Sequence, residues 1–293
     1  MPDQNINQPP TLAEFLAGPI DAVRELAPQT LIFAAGGTRR SAAMNGVSTT
    51  GNEYAQWAYN QMMACFDLFF KHGVKHIITH AVIPSQYQET TLDYREKLLK
   101  WVDWVLAGPA AMAGYQQRGW QVRLWGTENV PEVEHVAQRL RASSAPDGAP
   151  MMCFTITPDE EAPWNSLFSA VQRSGATTQA EAIRAQYGDN IPPATLYIGS
   201  GKPAIFPAIV PPLLMGKVQC YWMQRPGFIL EEETIRTLLY DYAYTRNTWM
   251  KDKTGRAEQA LVSQQVWQQA PLLGLGMRLG PFWYPLPIAP PPE

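Results

Sequence analysis

Residues 30–40 read Thr-Leu-Ile-Phe-Ala-Ala-Gly-Gly-Thr-Arg-Arg. The first six form a compact apolar run with β-branched members, closed by two glycines, which predicts a buried strand running into a turn. Consecutive glycines let backbone N–H groups approach an anion closely. Thr38 adds a hydroxyl, and Arg39 and Arg40 supply planar forks that match phosphate oxygens bidentately. The turn Gly36-Gly37-Thr38-Arg39-Arg40 is therefore a candidate diphosphate cradle. Taken alone, it is equally a tight turn followed by two solvated arginines. Its spacing is neither GxGxxG nor a Walker A loop, because no Lys-Ser/Thr pair follows, which argues against a dinucleotide or an NTP handled in the usual way.

Strand and helix patterns alternate on both sides of this turn. Upstream, Leu12, Phe15, Leu16, Ile20 and Val23 fall at helical spacing over residues 11–26, with Thr11 as N-cap and Glu14 as its capping-box partner. Downstream, the patterns predict helices over 52–72, 90–117 with an interruption at Pro109, 131–142, 160–173, 178–187 and 230–250. Strands are expected over 75–82, 121–125, 151–156, 195–198 and 218–223, and residues 143–150 read as a linker. Such alternation predicts one α/β domain over residues 11–279, with a mostly parallel sheet flanked by helices. In such sheets, ligands bind where strands end at their carboxyl edge. Residues 1–10 are expected to be a loose arm. The Pro-rich tail, residues 280–293, is expected either to pack as an extended arm or to be disordered.

Composition narrows the partners. With 293 residues, 46% apolar, the chain can bury a sizeable core. A net charge of −3 gives no electrostatic footprint for nucleic acid, so any bound anion is expected to be small and held locally. The longest apolar run, residues 204–215, carries three prolines and is far short of the roughly 20 residues that span a bilayer, so a soluble protein without a transmembrane segment is expected. Cys65, Cys153 and Cys220 show no framework spacing and suit a reducing cytoplasm.

Several motifs line up in chain order. Gly37-Thr38-Arg39-Arg40 follows a strand, and a helix begins near Glu53-Tyr54. Phe69-Phe70-Lys71-His72-Gly73-Val74 precedes the next strand, followed by Ile198-Gly199-Ser200-Gly201-Lys202 and Leu239-Tyr240-Asp241-Tyr242-Ala243-Tyr244-Thr245-Arg246. Together they resemble the cis-prenyltransferase superfamily, in particular its tuberculosinol synthase branch, which Gly274 to Gly276 and Phe282-Trp283 also resemble. The resemblance implies a single α/β domain, usually a homodimer. It would bind an allylic isoprenoid diphosphate of C10 to C20, with the phosphates on the first loop and the hydrocarbon in a deep apolar tunnel. Arg39 and Arg40 would be diphosphate ligands beside Gly36, Gly37 and Thr38. Tyr54 and Tyr94 match the tyrosines that support the carbocation or the quenching water; without the resemblance, each reads as a core aromatic on a helix face.

One departure matters. The family's first loop carries an aspartate where this chain has Gly36. A hard divalent cation needs carboxylate or phosphate oxygens, so the Mg2+ that the resemblance implies is put in question, and ordinary chain elongation is disfavoured. Three accounts follow. Arg39, Arg40 and backbone donors ionise the substrate alone; Glu53 supplies the carboxylate; or the chain is a catalytically silent relative acting as a partner subunit or lipid-diphosphate-binding module. A phosphate-ester enzyme unrelated to isoprenoids is a third functional class. The elongating enzymes' Arg-x-Ser-Gly-x-x-Arg pattern is reduced here to Gly199-Ser200-Gly201-Lys202, a poorly furnished second diphosphate site. His72, His76 and His80 lie four apart, but the stretch crosses Gly73 into a strand, which argues against a helical metal face. Glu231, Glu232 and Glu233 read as charge complementing a helix start, as do Asp159, Glu160 and Glu161. Asp241, Tyr242 and Arg246 sit on the long late helix, where an inward pair would order the active site or hold a dimer.

Overall fold

The computed structural model describes residues 9–91, 93–143, 145–248, 251–270 and 272–286. The expected terminal segments fall partly outside them: residues 1–8 of the arm and 287–293 of the tail are not among those described.

 Six strands, β1 (Thr30–Ala34), β2 (His76–Val82), β3 (Gln121–Trp125), β4 (Met151–Ile156), β5 (Ala194–Ser200) and β6 (Met215–Met223), form one sheet in the order β3-β4-β2-β1-β5-β6, every pair parallel. β1, β3 and β4 are buried along their whole length, as strands covered on both faces of a parallel sheet are, and in β3 the buried Arg123 pairs with Asp189 at 2.9 Å. The fold is the expected α/β architecture, with helices on both faces.

The helices, in chain order, are α1 (Leu12–Ala17), α2 (Ile20–Arg24), α3 (Thr38–Met44), α4 (Gly51–Lys71), α5 (Pro84–Tyr87), α6 (Tyr94–Ala107), α7 (Pro109–Arg118), α8 (Glu134–Ala142), α9 (Ala162–Ser174), α10 (Gln179–Tyr187), α11 (Glu232–Tyr240), α12 (Arg256–Leu261) and α13 (Gln264–Gln268). The larger core holds Phe33, Phe66, Phe69, Val102, Leu106, Phe154 and Leu239, so it lies between the sheet and α4, α6 and α11. The opposite core joins Ile32, Ile78, Trp125, Cys153 and Tyr197 to Ile183 and Tyr187 of α10.

Several expected elements differ in detail. The helix expected over 11–26 is two helices, because Gly18 and Pro19 are both extended; Thr11 still closes a capping box with Glu14. The 90–117 helix begins at Tyr94 and breaks at Gly108, where Pro109 starts α7. α3, directly after the glycine turn, was not expected as a helix. The 230–250 helix, whose last two residues lie outside the described ones, ends at Tyr240 and continues among the described residues as a π-turn over Asp241–Thr245, closed by Arg246 N–H donating to the Asp241 carbonyl at 2.9 Å. Near the C-terminus, β7 (Gly276–Leu279) and β8 (Phe282–Pro285) form an antiparallel hairpin that runs across the 279/280 boundary. Trp283 lies over Gly276, where a Cβ would collide with the indole.

Candidate active site

Strand β1 has its neighbours on opposite sides, β2 on one and β5 on the other, so the loops leaving β1 and β5 meet at a switch point of the sheet. Their contact fixes the glycine turn. Gly36 N–H donates to Ser200 Oγ at 2.5 Å, Ser200 Oγ–H donates to the Gly36 carbonyl at 3.0 Å, and Gly227 N–H donates to the same carbonyl at 2.9 Å. A Cβ on Gly36 would lie 2.7 Å from the Ser200 carbonyl oxygen, so the backbone approach that excludes the family's aspartate is built into the loop. Gly37 takes φ of 74°, a conformation that favours glycine, and the Arg40 guanidinium folds over its Cα.

The turn opens onto a cavity of about 560 Å³ beneath α4 and α6. Gly37, Thr38, Arg39 and Arg40 stand at one end; Met62, Val105, Leu106, Phe154 and Phe228 contribute apolar walls. The sequence-predicted tyrosines both reach this space. Tyr54 and Thr38 share a hydroxyl hydrogen bond of 2.6 Å, and Arg39 donates to the Tyr94 hydroxyl at 3.2 Å with its guanidinium 5.4 Å from the ring centre. Arg40 sits 4.9 Å over the Phe282 ring, so the C-terminal hairpin touches the turn. Of the predicted set, Gly37, Thr38, Arg39, Arg40, Tyr54 and Tyr94 line one cavity, whereas Gly36 acts behind it as the clamp on Ser200.

Glu53 is exposed and does not line the cavity. Glu89 is the carboxylate among the lining residues, and Thr91 donates to it at 2.7 Å. No cluster of three or more His, Cys, Asp or Glu side chains occurs among the described residues. A Mg2+ held by protein carboxylates does not fit this donor set. Lys202 is exposed, and neither it nor Ser200 lines the cavity. Asp241 accepts from Tyr221 at 2.6 Å and pairs with Arg246 at 2.7 Å, while Tyr242 bonds Thr195 at 2.7 Å; these groups tie the end of α11 to β5 and β6 outside the cavity. Glu232 pairs with Lys71 at 3.0 Å and with Arg236 at 3.3 Å, linking α11 to α4.

Sequence reasoning missed Trp101 and Phe228, and it read His80 only as one of three spaced histidines without a role in the cavity. Trp101 meets Tyr54 edge to face at 6.4 Å, and Phe228 stacks on Phe33 at 5.7 Å. The helical spacing of Tyr94, Leu98, Trp101, Val102 and Val105 on α6 carried a signal for the first; Phe228 lies in a loop with no periodic pattern. His80 lines the cavity with Nδ1 buried and without a hydrogen-bond partner. Burial pushes the imidazole down to about 4, against the opposing effect of the Ala35 backbone, so the ring is neutral near pH 7.

The chain is 45% identical to (+)-kolavelool synthase of Herpetosiphon aurantiacus over 276 residues, covering 94% of this chain and 96% of that protein. The chain belongs to the cis-prenyltransferase superfamily, in its tuberculosinol synthase-type branch. Tuberculosinyl adenosine transferase of Mycobacterium tuberculosis is 24% identical over 80% of this chain and 83% of its own length. A probable undecaprenyl diphosphate synthase of Campylobacter jejuni has the same fold, with a TM-score of 0.54 at 8% identity over 75% of this chain and 97% of that one. No family model matches the chain. As a member of this superfamily it is an enzyme of the terpene synthase/prenyltransferase type, and no described helix is long and apolar enough to cross a membrane.

Proposed function

We propose that the enzyme binds an allylic isoprenoid diphosphate of C10 to C20, assists loss of diphosphate, and directs the allylic cation to cyclisation, water capture or prenyl transfer. The observation that carries this reading is a turn bearing two arginines at the end of an apolar, aromatic-walled cavity of about 560 Å³. Arg39 and Arg40 face the leaving diphosphate and neutralise the charge it gains as the C–O bond breaks; cations already held in position do this with little reorganisation. Tyr94 and Phe282 hold the two guanidinium groups in place through their ring faces. Tyr54, anchored by Thr38, and Trp101 present aromatic faces to the developing cation. The relatives named for a synthase and for a tuberculosinyl transfer support both the isoprenoid substrate and the range of fates for the cation.

Gly36 and the isolated Glu89 support ionisation that relies on the arginines, with Mg2+ reaching the site, if at all, on the substrate's phosphate oxygens. Exposed Val262, Trp267, Leu272 and Leu273 support a homodimer, and the three free cysteines support a cytoplasmic location. The test is incubation of the purified protein with geranyl, farnesyl and geranylgeranyl diphosphates, in Mg2+ and in chelator, following released diphosphate and organic-phase products. Diphosphate release from at least one substrate with a matching product is expected. Release from none of them overturns the reading.

A further inference from the structure

A row of polar side chains crosses the carboxyl edge of the sheet beside the cavity. His80 on β2 is in register with Thr155 on β4, and Thr155 with Trp125 on β3. Nδ1 of His80, Oγ1 of Thr155 and Nε1 of Trp125 are all buried without a hydrogen-bond partner, and so is Oε1 of Gln186 on α10. Leaving such groups unpaired is costly, so a row of them calls for a small polar ligand. Trp125, Thr155 and Gln186 line a separate space of about 40 Å³, enough for a water or two, whereas His80 lines the substrate cavity. The β2–β4 register slips between His80 and Val82, a bulge of the kind that re-aims a side chain beside a site.

Resting on the proposed ionisation of an allylic diphosphate, we infer that His80 is the catalytic base that ends the reaction, taking a proton from a water that this polar row delivers to the cation. The allylic C–O bond breaks first, its electron pair leaving with the diphosphate. A lone pair of the water oxygen then forms the new C–O bond, one O–H bond breaks, and that proton goes to the Nδ1 lone pair of His80. The imidazolium gives the proton up to the departing diphosphate, so an allylic diphosphate and water become an alcohol and hydrogen diphosphate. A neutral imidazole suits this place because an imidazolium would repel the cation. Its low basicity is sufficient, because a water that has captured a carbocation is a strong acid. Thr155 is a positioning residue that orients the water next to the ring.

The experiment runs the wild type, His80→Asn and Thr155→Val with the three prenyl diphosphates in water enriched in oxygen-18, measuring alcohol, olefin and released diphosphate. The wild type is expected to give alcohol carrying the label. In His80→Asn, alcohol per diphosphate released should fall at least about tenfold, with olefin in its place, and in Thr155→Val about threefold. Unchanged ratios in both variants overturn the inference. Diphosphate release by the wild type with olefin as the product, or with unlabelled alcohol, overturns it while leaving the proposed ionisation intact; this arm does not depend on either variant folding. No diphosphate release by the wild type overturns the ionisation and the inference together.

Discussion

At Gly36 one missing side chain decides how the first loop is held. Its amide and carbonyl both engage Ser200, and a Cβ would stand 2.7 Å from the Ser200 carbonyl. Gly36→Asp is therefore expected to force β1 and β5 apart at their ends. Overpacking of this kind costs about 1–3 kcal/mol, which lowers Tm by roughly 2–12 °C in a chain of this size. Thermal melts check the loss, and diphosphate release in Mg2+ checks that the new carboxylate brings no gain. Arg39 and Arg40 behave differently, because neither is part of the packed core. Arg39→Ala with Arg40→Ala should leave the melt close to that of the wild type and cut diphosphate release at least about a hundredfold, the loss typical of removing charge stabilisation from a leaving group. The two arginines were legible from the glycine turn that precedes them, whereas Tyr54 and Tyr94 were legible only through the family resemblance, since on spacing alone each reads as a core aromatic on a helix face. His80 was not: its significance comes from Thr155 and Trp125, which are distant in the chain and meet it only through strand pairing.

On the two helices over the cavity, each wall residue follows from spacing. Ala55, Ala58, Tyr59 and Met62 of α4 recur every three or four residues, and so do Leu98, Trp101, Val102 and Val105 of α6, which places each set on one face. The small Ala58 leaves room that a ring would fill. Ala58→Phe is expected to reduce turnover of geranylgeranyl diphosphate at least about tenfold relative to geranyl diphosphate, since a pocket too short for the chain misplaces its reacting end; competition between the two substrates, read by product analysis, measures the ratio. An unchanged ratio would place the hydrocarbon elsewhere. The strands and long helices were legible because their apolar residues fall in compact runs or at helical spacing. α3 was hidden because its sequence, TRRSAAM, has no apolar stripe, and its start depends on Gly37 at positive φ. The π-turn at Asp241 was hidden because widening one turn leaves the surrounding hydrophobic period almost unaltered.

Across the whole molecule, burial sets the response to acid, and exposed apolar surface makes pairing of two chains the expected outcome. Burial lowers the imidazoles of His72, His76 and His80, the last to about 4. The unfolded chain takes up these protons near pH 6.5 and the folded chain resists them, so their contribution is complete above about 6.5 and is lost as pH falls toward 4. Tm should fall between pH 7.5 and 5, before the lowered carboxyls of Glu14, Glu181 and Glu232 begin to protonate, and His72→Gln should flatten that fall. The sheet order was legible only as a class, since the pairing that puts β5 beside β1 joins residues more than a hundred positions apart in the chain. The segment after α11 was least legible, because its apolar residues face outward. Val262 is 90% exposed, Leu273 76% and Trp267 70%, a density of exposed apolar surface that solvent does not favour. A second copy of the chain covering it would need to bury roughly 800 Å² per partner to form a stable interface. Light scattering should then give the wild type twice the 32.7 kDa of one chain, and Trp267→Asp with Leu273→Asp should return it to one. A wild type that scatters as a single chain would show that these side chains serve some purpose other than pairing.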